Sequence, residues 1–256
     1  MRLGDISDYF ALRKHLVAPW SFVRSRKREM EAPLDLDFKD GAVVRLRPAP
    51  MDRHTFHRIF ARDEYRLNGI GALDTVIDIG AHIGLFAVRV APLAKRVVSF
   101  EPVAANFETL EKNVAHYPHV KPVCKAVSAK RGTATIYVSA NPSAHSMHPS
   151  EAERRTGATE VETLSLADVF TDYAIERCDL LKLDCEGAEY EILNAVPDAL
   201  WPRIARIVME FHAVEGGAPD WTGPGLAKRL ESRGFGVEVL PHPKHATKGH
   251  LFARRP

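Results

Sequence analysis

From residue 75 the chain repeats one rhythm that few folds can accommodate. Apolar runs "TVIDIG" (75–80), "RVVSFE" (96–101) and "VKPVCKAV" (120–127) alternate with helically spaced segments, "IGLFAVRVAPLA" (83–94) and "AANFETLEKNVAHY" (104–117). The alternation resumes in "LLKLD" (180–184), "EYEILNAV" (189–196) and "ARIVMEFH" (205–212). A helix over 223–235 then leads to two closing strands, "GVEVL" (236–240) and "HLFAR" (250–254). Continuous apolar strands joined through helices lie parallel and are buried on both faces. The pattern predicts an α/β fold with a doubly wound, mostly parallel sheet of seven strands, and "GTATIYVS" (132–139) and "TEVETLSL" (159–166) as extra strands.

Ahead of this rhythm, residues 1–70 read as an extension that packs on a core domain of residues 71–256. Residues 1–32 have amphipathic helical spacing broken at Pro19. "LDLDFKDGAVVRLR" (34–47) alternates on both sides of Asp40-Gly41, which predicts a hairpin with a type I′ turn. "MDRHTFHRIFARDEYRL" (51–67) is spaced as a helix with Asp52 as its N-cap.

The 35 Lys and Arg nearly balance the 33 Asp and Glu, so no overall field draws in nucleic acid or an anionic membrane. The local exception is "RKHLVAPWSFVRSRKREM" (13–30), basic and aromatic. A solvated helix is its default reading, and a lid or a weak membrane-surface contact the alternative. No apolar run reaches the ~18–20 residues of a spanning helix, and charged residues interrupt the N-terminus where a signal peptide would be apolar. Cys124, Cys178 and Cys185 have no metal-binding spacing and suggest reduced thiols. A cytoplasmic, soluble protein is the expectation.

"DIGAHIG" joins the first sheet strand to its helix. Gly80 permits a sharp turn, Gly84 permits close helix–strand packing, and the helix N-terminus behind them offers free N–H groups. About 20 residues on, Glu101 closes the second strand, where a carboxylate can accept hydrogen bonds from ribose hydroxyls. A dinucleotide fingerprint fails here, because His82 stands where a second glycine lets the backbone approach a pyrophosphate. That argues against a nicotinamide dehydrogenase. A nucleoside ligand without pyrophosphate escapes the constraint, and S-adenosylmethionine is such a ligand.

Together, "VIDIGAHIG", "FEP" (100–102), "KAVSAKRGTATIYVS" (125–139), "LLKLDCEGAEYEIL" (180–193) and "VMEFH" (208–212) resemble the FkbM-type S-adenosylmethionine-dependent methyltransferases. The resemblance covers about residues 40–212. It implies a class I methyltransferase fold and O-methylation of a small molecule, sugar or lipid-linked intermediate. The family's cofactor pocket carries over onto Asp78, Gly80, Ala81, Gly84 and Asp184, with Glu101 on the ribose and Ala126 and Val127 beside the adenine.

Asp78, Glu101, Asp184 and Glu210 all stand near strand ends, where ligands gather in a doubly wound sheet. Asp184 and Glu186 are assigned to the site, whereas Glu189 and Glu191 read as first-turn acids that complement a helix dipole. Lys182 is odd inside "LLKL" and needs a carboxylate partner; Asp184 shares its strand face by period-two geometry. Methyl transfer needs positioning and a proton acceptor. His212 is the candidate base because histidine titrates near neutrality, with Asp184 or Glu186 in its place and a capping histidine as the plain alternative. A metal-assisted version would draw ligands for a divalent ion from Asp184, Glu210 and His212.

"HPKH" (242–245), His145 and His148 read as surface histidines, and the polar stretch holding Ser143 and Ser146 as a loop near the substrate mouth. Residues 182–193 lack the Asn-Pro-Pro-Tyr run carried by many nucleobase methyltransferases. RNA or protein acceptors, or a non-catalytic cofactor-binding module, are the alternative readings.

Overall fold

The computed structural model describes residues 3–26, 31–139, 155–212, 217–243 and 245–256. Helices α1 (Leu3–Leu12) and α2 (Pro19–Ser25) precede a hairpin, β1 (Leu34–Asp37) and β2 (Val43–Leu46). Helix α3 (Pro50–Phe56) then runs into a π-helical turn, His57–Ala61. The core continues with β3 (Leu73–Ile79), α4 (Leu85–Val90), β4 (Ala94–Phe100), α5 (Ala104–Val114) and β5 (Val120–Val123). After it come β6 (Ala126–Ser128), β7 (Gly132–Ser139), β8 (Arg155–Ser165), α6 (Leu166–Asp172) and β9 (Leu180–Leu183). The chain closes with α7 (Glu189–Asn194), β10 (Arg206–His212), α8 (Gly223–Ser232), β11 (Gly236–His242) and β12 (His245–Arg254).

Seven strands pair in the order β11-β12-β10-β9-β3-β4-β5. The five from β10 to β5 are parallel, and β12 runs antiparallel to both of its neighbours. This is the expected α/β sheet. Successive residues point to opposite faces, so Val76, Val97, Leu180 and Val208 join one apolar cluster while Ile77, Val98, Leu181 and Ile207 join the other. Burial on both faces is why these strands read as unbroken apolar runs. Leu12, Phe22, Phe56 and Phe60 belong to the first cluster. The N-terminal segment therefore completes the core on one face of the sheet.

Local structure departs from the sequence expectation in five places. Pro19 opens α2 as its first residue, where a missing N–H costs nothing. The hairpin turn spans 38–42, with Gly41 N–H donating to Phe38 O and only Gly41 left-handed, so it is a three-residue turn with a glycine bulge and not type I′. The helix expected over 51–67 ends at Arg62: Asp63 and Arg66 take positive φ, and the Asp63 carboxylate accepts the N–H groups of Leu67 and Asn68. The run 120–127 splits, because Val120–Val123 pairs with β4 and Ala126–Ser128 leaves to pair with β8 in a small sheet of β6, β8 and β7. Helix α4 stops at Val90, ahead of Pro92. The loop containing Ser143, His145, Ser146 and His148 lies outside the described residues. No helix among the described residues is long and apolar enough to cross a membrane.

Candidate active site

A cleft of about 240 Å³ opens at the carboxyl ends of β3, β4 and β9. Gly80 forms its floor at φ 77°; a Cβ there would stand 1.8 Å from the carbonyl oxygen of Asp184. Only glycine lets the ends of β3 and β9 come this close. Gly80 and Ala81 both donate their N–H to Phe100 O, tying the turn to β4. Gly84, also left-handed, faces Leu110 of α5, where a Cβ would lie 2.5 Å from Cδ1. Its missing side chain serves helix–helix contact, and Gly84 is not in the cleft wall.

Glu101 is buried and borders the cleft. Its Oε2 accepts the His82 N–H at 2.8 Å and its Oε1 the Val103 N–H at 2.9 Å. Burial pushes the carboxyl up to about 7 against the pull of these donors. Oε1 also accepts from the Asn106 amide, while Oε2 keeps a further lone pair for a ligand. Ala126, Val127 and Ile136 supply an apolar wall near this end.

His82 takes φ 52°, a strained value for a residue with a Cβ. Burial holds its ring neutral, down at about 4, and Nε2 lies 2.8 Å from Arg47 Nη2, from which it accepts. Arg47 also forks onto Asp52 at 2.9 Å twice and reaches Asn106 Oδ1 at 2.7 Å. Asp52, expected as an N-cap, is instead fully buried as the carboxylate that fixes this guanidinium, and Ala49 occupies the cap.

The other end of the cleft is acidic. Lys182 Nζ pairs with Asp78 Oδ1 at 3.2 Å across the β3–β9 register and donates to Gly80 O at 2.6 Å, while Asp184, its expected partner, is 4.0 Å away. Asp78 is thereby sealed beneath the turn and is not in the cleft wall. Asp184 accepts from Tyr65 Oη at 3.0 Å; burial works to raise its carboxyl, but Lys182, His212 and Arg58 hold it below its usual value. His212 Nε2 lies 3.5 Å from Glu186 Oε2 and 3.9 Å from Glu210 Oε1, and Nδ1 lies 3.5 Å from Glu189 Oε1.

His212 does not sit as the near-neutral imidazole expected of a base. Burial alone would lower it, yet Glu186, Glu189 and Asp184 raise it to about 10. Burial lifts Glu186 to about 7. Glu210, expected beside Asp184 and His212 as a metal ligand, is held by the guanidinium of Arg58, which also binds Glu64. Asp184, Glu186 and His212 each bring a donor atom within 4.8 Å of the others, and Glu64, Glu210 and His250 do the same.

With this geometry in view, comparison with known proteins is decisive. The profile of the methyltransferase FkbM domain matches residues 78–237. The chain belongs to the FkbM methyltransferase family. It is 29% identical over 256 residues to 31-O-demethyl-FK506 methyltransferase FkbM of Streptomyces tacrolimicus, covering 86% of this chain and 96% of that protein. It is also 29% identical over 216 residues to methyltransferase sdnD of Sordaria araneosa, covering 71% and 81%. Among solved structures, an rRNA methylase from Streptococcus thermophilus superposes with a TM-score of 0.47 at 9% identity, covering 77% of this chain and 95% of that one.

In this FkbM-family methyltransferase, which uses S-adenosylmethionine, the cleft gathers Gly80, Glu101, Ala126, Val127, Asp184, Glu186 and His212 from the residues singled out in sequence. Asp78, Ala81 and Gly84 stand behind it. Sequence reading passed over Tyr65, Arg58 and Lys248, which also line the cleft. It read Glu189 as a first-turn acid, which it is in α7, without its burial. Glu189 is fully buried, accepting the N–H of Cys185 at 2.8 Å and of Gly187 at 3.0 Å. The glutamate spacing in "CEGAE" was the available signal, since a side chain at the helix start can reach back to the turn before it.

Proposed function

We propose that the cleft seats the adenosyl group between Gly80, Glu101, Ala126 and Val127, and that Asp184, Glu186 and His212 receive a hydroxyl of a small acceptor. The observation that carries the reading is the Glu101 carboxylate, fixed by two backbone N–H groups at the mouth of the Gly80 turn with acceptor capacity left over. Ribose hydroxyls are the donors such a carboxylate suits. Gly80 fits this use because it lets the turn take φ 77° and pack against the end of β9 at the edge of the cleft. The name of the FK506-type relative, whose acceptor is small, supports a small molecule or sugar over RNA or protein.

When bound, S-adenosylmethionine supplies a methyl on a sulfonium, so the acceptor oxygen bonds the methyl carbon while the carbon–sulfur pair returns to sulfur. This chain's residues do the remaining work. Asp184, held by Tyr65, and Glu186 accept from the acceptor hydroxyl and draw off its proton. Met51, Thr55 and Arg58 of the N-terminal segment face the same space, so acceptor choice is assigned to that wall. Transfer of labelled methyl to a panel of hydroxyl compounds tests the reading. Label appearing only on RNA or protein, or none on any acceptor despite S-adenosylhomocysteine binding, would sink it.

A further inference from the structure

We infer that Asp184, Glu186 and His212 form a divalent-cation site at the acceptor end of the cleft, with Glu189 as the carboxylate that aims His212. The inference rests on the proposed function in one respect: the ion would stand beside the acceptor hydroxyl.

The donors come from two elements far apart in sequence, the β9–α7 turn and the end of β10, and bring two carboxylate oxygens and one imidazole nitrogen within 4.8 Å. His212 is the independent observation. The residue is 2% exposed, and its Nδ1 is fully enclosed without a hydrogen-bond partner among the described residues. The carboxylate oxygens around it stand back at 3.5 to 3.9 Å. A buried imidazole with carboxylates at that spacing can share one cation with Asp184 and Glu186 once its own proton is released, as metal binding to histidine requires.

Glu189 supplies the outer layer. It is fixed by two backbone N–H groups and faces Nδ1, the carboxylate–histidine relationship that sets ring orientation at metal sites. The local charges agree. Lys182 is answered by Asp78, and Arg58 by Glu64 and Glu210. Lys248 lies 3.9 Å from Glu186, and His212 stands between Glu186 and Glu189. A second group, Glu64, Glu210 and His250, has similar spacing, but the Arg58 guanidinium already neutralises it. Two carboxylates and one imidazole suit an ion of the Mn²⁺ or Mg²⁺ kind, with open positions for water and an acceptor oxygen whose proton the ion would acidify.

The test is Mn²⁺ binding by the full chain after EDTA stripping, read by electron paramagnetic resonance of free Mn²⁺. One ion per chain is expected. Affinity should fall about 10- to 100-fold in Glu189→Gln and at least as far in Glu186→Gln and His212→Gln, with no change in Glu64→Gln. Glu186 is only partly buried, so its variant tests the site even if His212→Gln fails to fold; retained S-adenosylhomocysteine binding certifies each variant. The inference is overturned by no binding of Mn²⁺, Mg²⁺ or Zn²⁺ at millimolar concentration, or by affinity lost in Glu64→Gln and kept in the others. Full-rate methyl transfer after EDTA also overturns it, and leaves the proposed function standing. Mn²⁺ binding with the expected variant pattern but no methylated hydroxyl acceptor has the reverse meaning.

Discussion

The backbone N–H of His82 donates to Glu101 Oε2 over 2.8 Å. This bond joins the turn after β3 to the end of β4, so the carboxylate and the glycine turn move as one unit. Through Asn106, which donates to Glu101 Oε1 and accepts from Arg47, the same unit is tied to the N-terminal segment.

Glu101 gives cofactor affinity a pH dependence. Its carboxyl sits at about 7, raised by burial. Ribose hydroxyls favour the ionised form, so binding must expel a proton below that value and need not above it. S-adenosylhomocysteine affinity should rise about tenfold from pH 6 to pH 8 through this group. Calorimetry at the two values should show the rise in wild type and its disappearance in Glu101→Gln.

Gly80→Ala should damage fold and site together. The new Cβ would meet the Asp184 carbonyl at 1.8 Å, and φ 77° is unfavourable for alanine. A stability loss on the order of 3 kcal/mol is expected, measured by urea denaturation. A loss under about 1 kcal/mol would mean that β3 and β9 can part at little cost.

Lys182→Met leaves Asp78 buried without its cation. A loss of about 3 kcal/mol is expected, smaller if Asp78 takes up a proton, as burial inclines it to do. The double variant Lys182→Met with Asp78→Asn should recover most of the loss, because the charge that required a partner has gone. Equal stability of single and double variants would contradict this pairing.

Arg58→Ala removes the clasp between the π-helical turn and Glu210 of β10. Left facing each other, Glu64 and Glu210 should lower stability by about 2 kcal/mol. Steady-state kinetics should show the acceptor KM raised on the order of tenfold and S-adenosylhomocysteine affinity unchanged, a loss confined to acceptor placement. An equal loss at the cofactor would show that this wall belongs to both ligands.

What could be read in advance divides by the range of the interaction. The parallel sheet was legible because burial on both faces leaves its mark in every strand, as Val76-Ile77 and Leu180-Leu181 show. Gly80 and Glu101 were legible because one strand end and the next stand a fixed distance apart in a βαβ unit. Asp52 was misread, since local pattern offered it a helix-end role and tertiary contact gave it a buried partner, whereas Glu189 keeps its helix-start role and also faces His212. Lys182 was matched to Asp184 on its own strand, whereas the closer carboxylate, Asp78, comes from the neighbouring one.

By itself the sequence determined the sheet, its strand order of elements along the chain, the glycine turn and the acids at the strand ends, because period and turn chemistry act over a few residues. Only tertiary structure decided that Tyr65 meets Asp184, that Arg58 takes Glu210, and that His212 lies between Glu186 and Glu189. The first two contacts join positions 119 and 152 residues apart. No local preference encodes such a contact; it forms when the two apolar faces of the sheet are covered and the charged ends of its strands are left facing one another.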